Sequence, residues 1–97
     1  MADNAKSVHV YRIAQEAVNN ALKHGAADQI KITLTQSHDT VTLTISDNGA
    51  GLPVHAKTGG GMGLKIMAYR AKMIDGTLQV GRGTDSGTVV TLEFPKL

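Results

Sequence analysis

Four short segments, in a fixed order, constrain this chain more than its composition does. They are Glu16-Ala17-Val18-Asn19-Asn20-Ala21-Leu22-Lys23-His24, Asp47-Asn48-Gly49-Ala50-Gly51, Gly59-Gly60-Gly61-Met62-Gly63-Leu64 and Gly87-Thr88-Val89. The first reads as helix, the second as a glycine turn closing a strand, the third as a glycine-rich helix entry and the fourth as a strand opening. A fold for this sequence has to accommodate all four within one small domain, because 97 residues suffice for one core and not two.

The elements between these segments follow from periodicity. Apolar side chains at Val10, Ile13, Ala14, Ala17, Val18, Ala21 and Leu22 recur at spacings of three and four, which predicts a helix over 7–24. Ser7 is placed to cap its N-terminus, and Gly25 to follow its C-terminus. Ile30, Ile32 and Leu34 alternate with polar residues, as do Val41, Leu43 and Ile45, so two strands follow, each with one apolar face. The polar link Gln36-Ser37-His38-Asp39 joins them as a hairpin. A loop covers 47–62. A second helix runs from about Gly63 to Ile74, with Leu64, Met67, Ala68, Ala71 and Ile74 on one stripe and Gly76 ending it. Leu78 and Val80 mark a third strand. Thr88 to Phe94 form a fourth, with Val90, Leu92 and Phe94 inward and Pro95 stopping its ladder. The expected fold is an α/β two-layer sandwich, a mixed and mostly antiparallel sheet with both helices on one face. Met1 to Lys6 read as a boundary or disordered segment of a single domain spanning 1–97.

Composition removes several functional classes. The chain has no cysteine, so it has neither a disulfide framework nor a thiolate metal site. Its net charge is +2, with Lys and Arg scattered and no basic stripe interleaved with aromatics, which argues against nucleic-acid binding. No apolar stretch approaches the ~18 residues of a membrane span, and no signal-peptide pattern is present. A soluble, cytoplasmic domain without membrane contact of its own is expected, whether or not the parent protein is membrane-anchored. The four histidines are unclustered and give no zinc site. His9 and His55 read as surface residues, and His38 as a solvated turn residue.

Each of the four segments has a bland explanation and a chemical one. Glu16, Asn20 and Lys23 fall within roughly 60° of helical arc. A solvated face is the ordinary account of such a stripe, yet Asn is a poor mid-helix residue by up to ~0.7 kcal/mol relative to Ala. An Asn oxygen is a hard neutral ligand suited to Mg²⁺. Glu16 could orient a water or accept a proton, and Lys23 could reach a phosphate. Asp47-Asn48-Gly49 could be a plain turn. Alternatively, its glycines let the backbone approach a flat ligand while the carboxylate accepts a hydrogen bond from an exocyclic amine such as that of adenine. The triple glycine before the second helix could be a linker. It could also offer free N–H groups and a positive dipole end to an anion. It is neither a Walker loop nor a Rossmann fingerprint, since no Lys-Ser or Lys-Thr follows it and no strand leads directly into it. His24 reads first as a helix-end cation.

Taken together, the segments resemble the catalytic ATP-binding domain of sensor histidine kinases, within the GHKL superfamily that also holds gyrase and a heat-shock chaperone. The match runs from about Val10 to Pro95. Glu16 to His24 looks like the family's N box, Asp47 to Gly51 like its first G box, Gly61-Met62-Gly63-Leu64 like its second, and Gly87-Thr88 like its late Gly-Thr. Gly63 to Ala71, with Gly76 beyond, is similar to the nitrate-sensor subclass. The resemblance implies the Bergerat fold and ATP with Mg²⁺ as cofactors. It implies Glu16 as the residue assisting proton transfer and Asn20 as the metal ligand. Nucleotide contacts are implied for Asn20, Lys23, His24, Asp47, Gly49, Gly51, Gly61, Met62, Gly63, Leu64 and Thr88. Segment 52–62 would be a short ATP lid. The implied partners are a dimerisation domain of the same protein that bears the phosphoacceptor histidine, absent from this sequence, and a response regulator downstream. An anti-sigma-type serine kinase, or another ATP-binding module of the superfamily, is the competing expectation.

Overall fold

The computed structural model describes residues 4–23, 28–49, 62–82 and 87–96. Helix α1 spans Asn4–Lys23, strand β1 Ile30–Ser37, strand β2 Thr40–Asp47, helix α2 Met62–Met73, strand β3 Thr77–Arg82 and strand β4 Thr88–Pro95. The sheet order is β1-β2-β4-β3, and all three described pairings are antiparallel.

Helix α1 begins at Asn4, so Ser7 lies inside it rather than capping it, and Asn4 to Lys6 are helical. Position 25, expected just past the helix, lies outside the described residues, as does most of the expected lid. The hairpin link is tighter than its polarity suggests. Ser37 pairs with Thr40, so only His38 and Asp39 turn the chain, and His38 takes a left-handed φ of 52°. Pro95 does not stop the last ladder. It still pairs with Thr40, and the Lys96 N–H donates to the Asp39 carbonyl at 2.6 Å.

The core lies between the helices and the middle of the sheet. Ile13, Ala17, Leu43, Ile45, Met67, Ala71, Ile74, Val90, Leu92 and Phe94 form it. Val90, Leu92 and Phe94 alternate inward on β4 as their spacing predicts, and Leu43 and Ile45 face them from β2. The expectation fails on β1. Ile32 is 55% and Leu34 64% exposed, although they lie in register with the buried Ile45 and Leu43. Two helices on a four-strand sheet cover its middle, and β1 at the edge keeps its apolar face open. Leu22 and Ala68, expected on the buried stripes, are also exposed.

Both helices run along the strands, which decides what gathers at each end of the sandwich. Ser7 and Val10 of α1 line a groove with Val41, Phe94 and Lys96, at the start of β2 and the end of β4. Helix α1, 20 residues and therefore ~30 Å long, carries its C-terminal turns to the other end, where β2 finishes and β4 begins. Helix α2 runs the opposite way. Gly76, beyond its last turn, sits against the Glu93 carbonyl and Phe94 of β4, so its first turn lies near the end of β2. The N-cap half of α2, the C-terminal half of α1, Asp47 and Thr88 therefore share one end of the molecule.

The end of α2 corrects one detail. Asp75, not Gly76, takes the left-handed conformation, with φ 57°. The Gly76 N–H closes the cap on the Ala71 carbonyl at 2.8 Å. Gly76 is needed for space: a Cβ there would lie 2.7 Å from the Glu93 carbonyl oxygen.

Two stability outcomes follow from this packing. In urea unfolding, Leu92→Ala loses about 3 kcal/mol, because Leu92 is fully buried, whereas Leu34→Ala changes stability by less than about 0.5 kcal/mol. Asp75→Asn raises stability by roughly 0.5 kcal/mol in thermal melts, since Asn tolerates the left-handed cap and removes a negative charge from a helix C-terminus.

Candidate functional site

The end of β2 is held in place from three sides. The Asp47 Oδ1 accepts the Gly49 backbone N–H at 2.8 Å and the Thr88 backbone N–H at 3.4 Å. Both bonds fall on one oxygen. Oδ2 has no hydrogen-bond partner among the described residues. Asn48 clasps the same turn to the start of β1. Its Oδ1 accepts the N–H groups of Asp28 and Gln29 at 3.1 and 3.0 Å, its Nδ2 donates to the Asp28 carboxylate at 2.6 Å, and its own N–H donates to the Gln29 carbonyl. Asn48 therefore holds the turn to the start of β1, and among the described residues the Asp47 carboxylate is held by backbone donors alone.

Gly87 explains why β4 opens with Gly-Thr. Its φ is +83°, and a Cβ there would collide with the Asp47 carbonyl oxygen and stand 2.8 Å from Asp47 Oδ1. The chain can bring the Thr88 N–H to Asp47 only by passing a residue without a side chain across that strand end. Sequence reasoning assigned Gly87 a role only by resemblance; no local signal reveals that Asp47 occupies the space a side chain would need. Asn48 likewise read as an ordinary turn residue.

Helix α1 supplies the polar stripe. Glu16 and Asn20 are half-buried, and Lys23 is exposed. Partial burial distinguishes Glu16 and Asn20 from a fully solvated face. Helix α2 starts at Met62, with Gly63 in its first turn and Leu64 half-buried against the core. The structure therefore brings Asp47, Gly49 and Thr88 into direct contact, and puts the ends of α1 and α2 on the same side of the sandwich. Of the remaining expected positions, His24, Gly51 and Gly61 lie outside the described residues, as does the side chain of Met62.

Among the described residues no group of three or more His, Asp or Glu side chains could hold a metal by itself. On the polar stripe of α1, Asn20 offers a neutral amide oxygen and Glu16 a carboxylate. That set fits Mg²⁺, which typically takes one or two protein ligands and completes its octahedron with phosphates and waters. No described helix is long and apolar enough to cross a membrane.

Residues 5–97 match the family described as histidine kinase-, DNA gyrase B- and HSP90-like ATPase, and the chain belongs to that family. It is 38% identical over 89 residues to the nitrate/nitrite sensor protein NarX of Escherichia coli K12, covering 92% of this chain and 15% of NarX. It is 36% identical over 94 residues to the oxygen sensor histidine kinase NreB of Staphylococcus carnosus, covering 96% of this chain and 27% of NreB. Among solved structures, the ATP binding domain of PrrB from Mycobacterium tuberculosis superposes with a TM-score of 0.78 at 26% identity, over 93% of this chain and 68% of that one. The fold is thus that of histidine kinase catalytic domains, the Bergerat fold, and the chain spans a small part of the sensor kinases it resembles.

Gly87→Ala tests the strand-end contact. It should cost about 2–4 kcal/mol in chemical denaturation, the sum of a left-handed Cβ and a clash with backbone. A change below about 0.5 kcal/mol would show that β4 opens without pressing on Asp47.

Proposed function

We propose that this chain binds ATP with Mg²⁺ and, within its parent protein, presents the γ-phosphoryl group to a histidine on a separate dimerisation domain, with a response regulator as the downstream acceptor. The observation that carries the reading is the Asp47 carboxylate. One oxygen is fixed by two backbone N–H groups, and the other has no partner among the described residues, at the end of the sandwich shared by Asn20 and the start of α2. Family membership and the similarity to NarX and NreB support it.

In this reading Asp47 accepts a hydrogen bond from the exocyclic amine of adenine. A bond to an ionised acceptor is roughly twice as strong as one between neutral groups. Gly49 and Gly51 let the base lie against the backbone, and Thr88 borders the same edge. Asn20 would hold Mg²⁺ through its amide oxygen, and the ion, when bound, would neutralise phosphate charge. Lys23 and His24 lie in sequence where α1 ends, placed to meet phosphates. Gly61, Met62, Gly63 and Leu64 would lead the phosphates onto the first N–H groups of α2. Glu16, one turn before Asn20, would accept or hold a proton as the phosphoryl leaves. Such transfer depends chiefly on positioning and charge neutralisation, so few side chains need chemical reactivity. Segment 52–62 would close over the nucleotide. The parent protein acts in the cytoplasm on this reading.

Calorimetric titration with ATP and ADP, with and without Mg²⁺, checks it. The wild-type chain should bind saturably, and Asp47→Asn should weaken binding by about tenfold or more. Saturable binding that Asp47→Asn leaves unchanged, or no binding by folded wild type, would refute the assignment.

A further inference from the structure

One side-chain contact ties the two helices of the site together. Arg70 of α2 reaches His9 of α1, with Nη1 3.1 Å from the imidazole Nδ1 and both residues half-buried. His9 is thus not the surface residue its sequence context suggests. A guanidinium has donors and no acceptor, so this hydrogen bond forms only with Nδ1 as the acceptor, in the neutral tautomer that carries its proton on Nε2. Protonation would remove the acceptor and place two cations against each other.

His9 lies on the same face of α1 as the site residues. Counting 100° per residue, His9, Glu16 and Asn20 fall within about 40° of arc, with His9 about 10 Å back along the axis from Glu16. Because α1 and α2 run in opposite directions, Arg70 meets His9 near the far ends of both helices, away from Asp47. The contact is a polar tie between two helices that also share the buried core of Ile13, Ala17, Met67 and Ala71, and it lies on the Glu16–Asn20 side of α1.

We propose that the Arg70–His9 pair is a positioning device for the nucleotide site, engaged only while His9 is neutral, so that nucleotide affinity falls when His9 takes up a proton. This inference rests on the ATP-binding reading above. Besides His9, the charged and titratable groups on the two helices are Lys6, Tyr11, Arg12, Glu16 and Lys23 on α1, and Lys65, Tyr69, Arg70 and Lys72 on α2, with Asp75 just past its end. Strand β2, which also packs on α1, contributes only Asp47, at the opposite end of the sandwich. Lys6 and Arg12 stand one turn either side of His9 on its own helix.

The test is MgATP titration of the whole 97-residue chain at about pH 8 and about pH 5.5, a range across which an imidazole ordinarily changes charge. It compares wild type with His9→Asn, His9→Leu and Arg70→Ala, each checked for folding by circular dichroism. The Asn Oδ1 stands where the imidazole Nδ1 does and accepts at both pH values. At pH 8, His9→Asn should bind like wild type, whereas His9→Leu and Arg70→Ala should bind roughly fivefold more weakly. At pH 5.5, wild type should lose about fivefold more affinity than His9→Asn. Titration of the nucleotide's phosphates and of His24 is common to both proteins and cancels in that comparison. A purely structural contact would lower the melting temperature without making the folded protein's affinity depend on the proton at His9. Parallel pH profiles for wild type and His9→Asn would overturn the proposal, as would wild-type affinity in His9→Leu. Where Arg70→Ala does not fold, the two His9 variants decide. Absence of wild-type binding at pH 8, or an Asp47→Asn that binds normally, would instead overturn the ATP-binding reading itself.

Discussion

Gly87 has no side chain because Asp47 already fills the space where one would be. This single steric condition ties the two central strands at the end that matters. It lets the Thr88 N–H reach the same Asp47 carboxylate oxygen that accepts the Gly49 N–H. The rest of the site is arranged about that point. Helix α1 brings its last turns there, helix α2 starts there, and the clasp of Asn48 on Asp28 and Gln29 keeps the turn from drifting. In the proposed role Asp47 is an acceptor for one donor, which is served by a carboxylate that does not rotate. Backbone donors supply that rigidity more cheaply than a second side chain, whose own rotamers would have to be ordered.

The parts of the fold that repeat were legible in the sequence, and the parts set by tertiary crowding were not. Val90, Leu92 and Phe94 on β4, and Ile13 and Ala17 on α1, are buried as period and spacing require. Ile32 and Leu34 alternate just as well, yet stay exposed, because alternation shows which face of a strand is apolar and not whether another layer covers it. The same limit applies to Leu22. Helix and strand ends moved by up to three residues, as at Asn4 against Ser7, since caps depend on local hydrogen bonds that composition only suggests.

Within the site, Asp47 was readable as a candidate from its type and its place at a strand end, whereas Thr88 entered only through the family resemblance. Residues that act through space on another segment were not readable. Asp28 and Asn48 lie 20 apart in sequence and Arg70 and His9 lie 61 apart, and neither pair leaves any trace in local pattern. Gly76 shows the same limit in another form. It was expected to end α2 by its backbone freedom, but Asp75 takes the left-handed conformation and Gly76 serves to let the chain pass β4.

The opposed directions of α1 and α2 have an electrostatic consequence. A helix ends in carbonyls with roughly half a negative charge and begins with N–H groups carrying roughly half a positive one. Laid antiparallel, with the tail of α1 beside the head of α2, the two helices set a small permanent couple across the mouth of the site, negative on one lip and positive on the other. A metal cation paired with a phosphate is itself such a couple. The backbone alone would therefore orient the pair, cation toward α1 and phosphate toward α2, before any charged side chain took part. A site built in this way has little need of the acidic cluster that a self-sufficient metal centre requires.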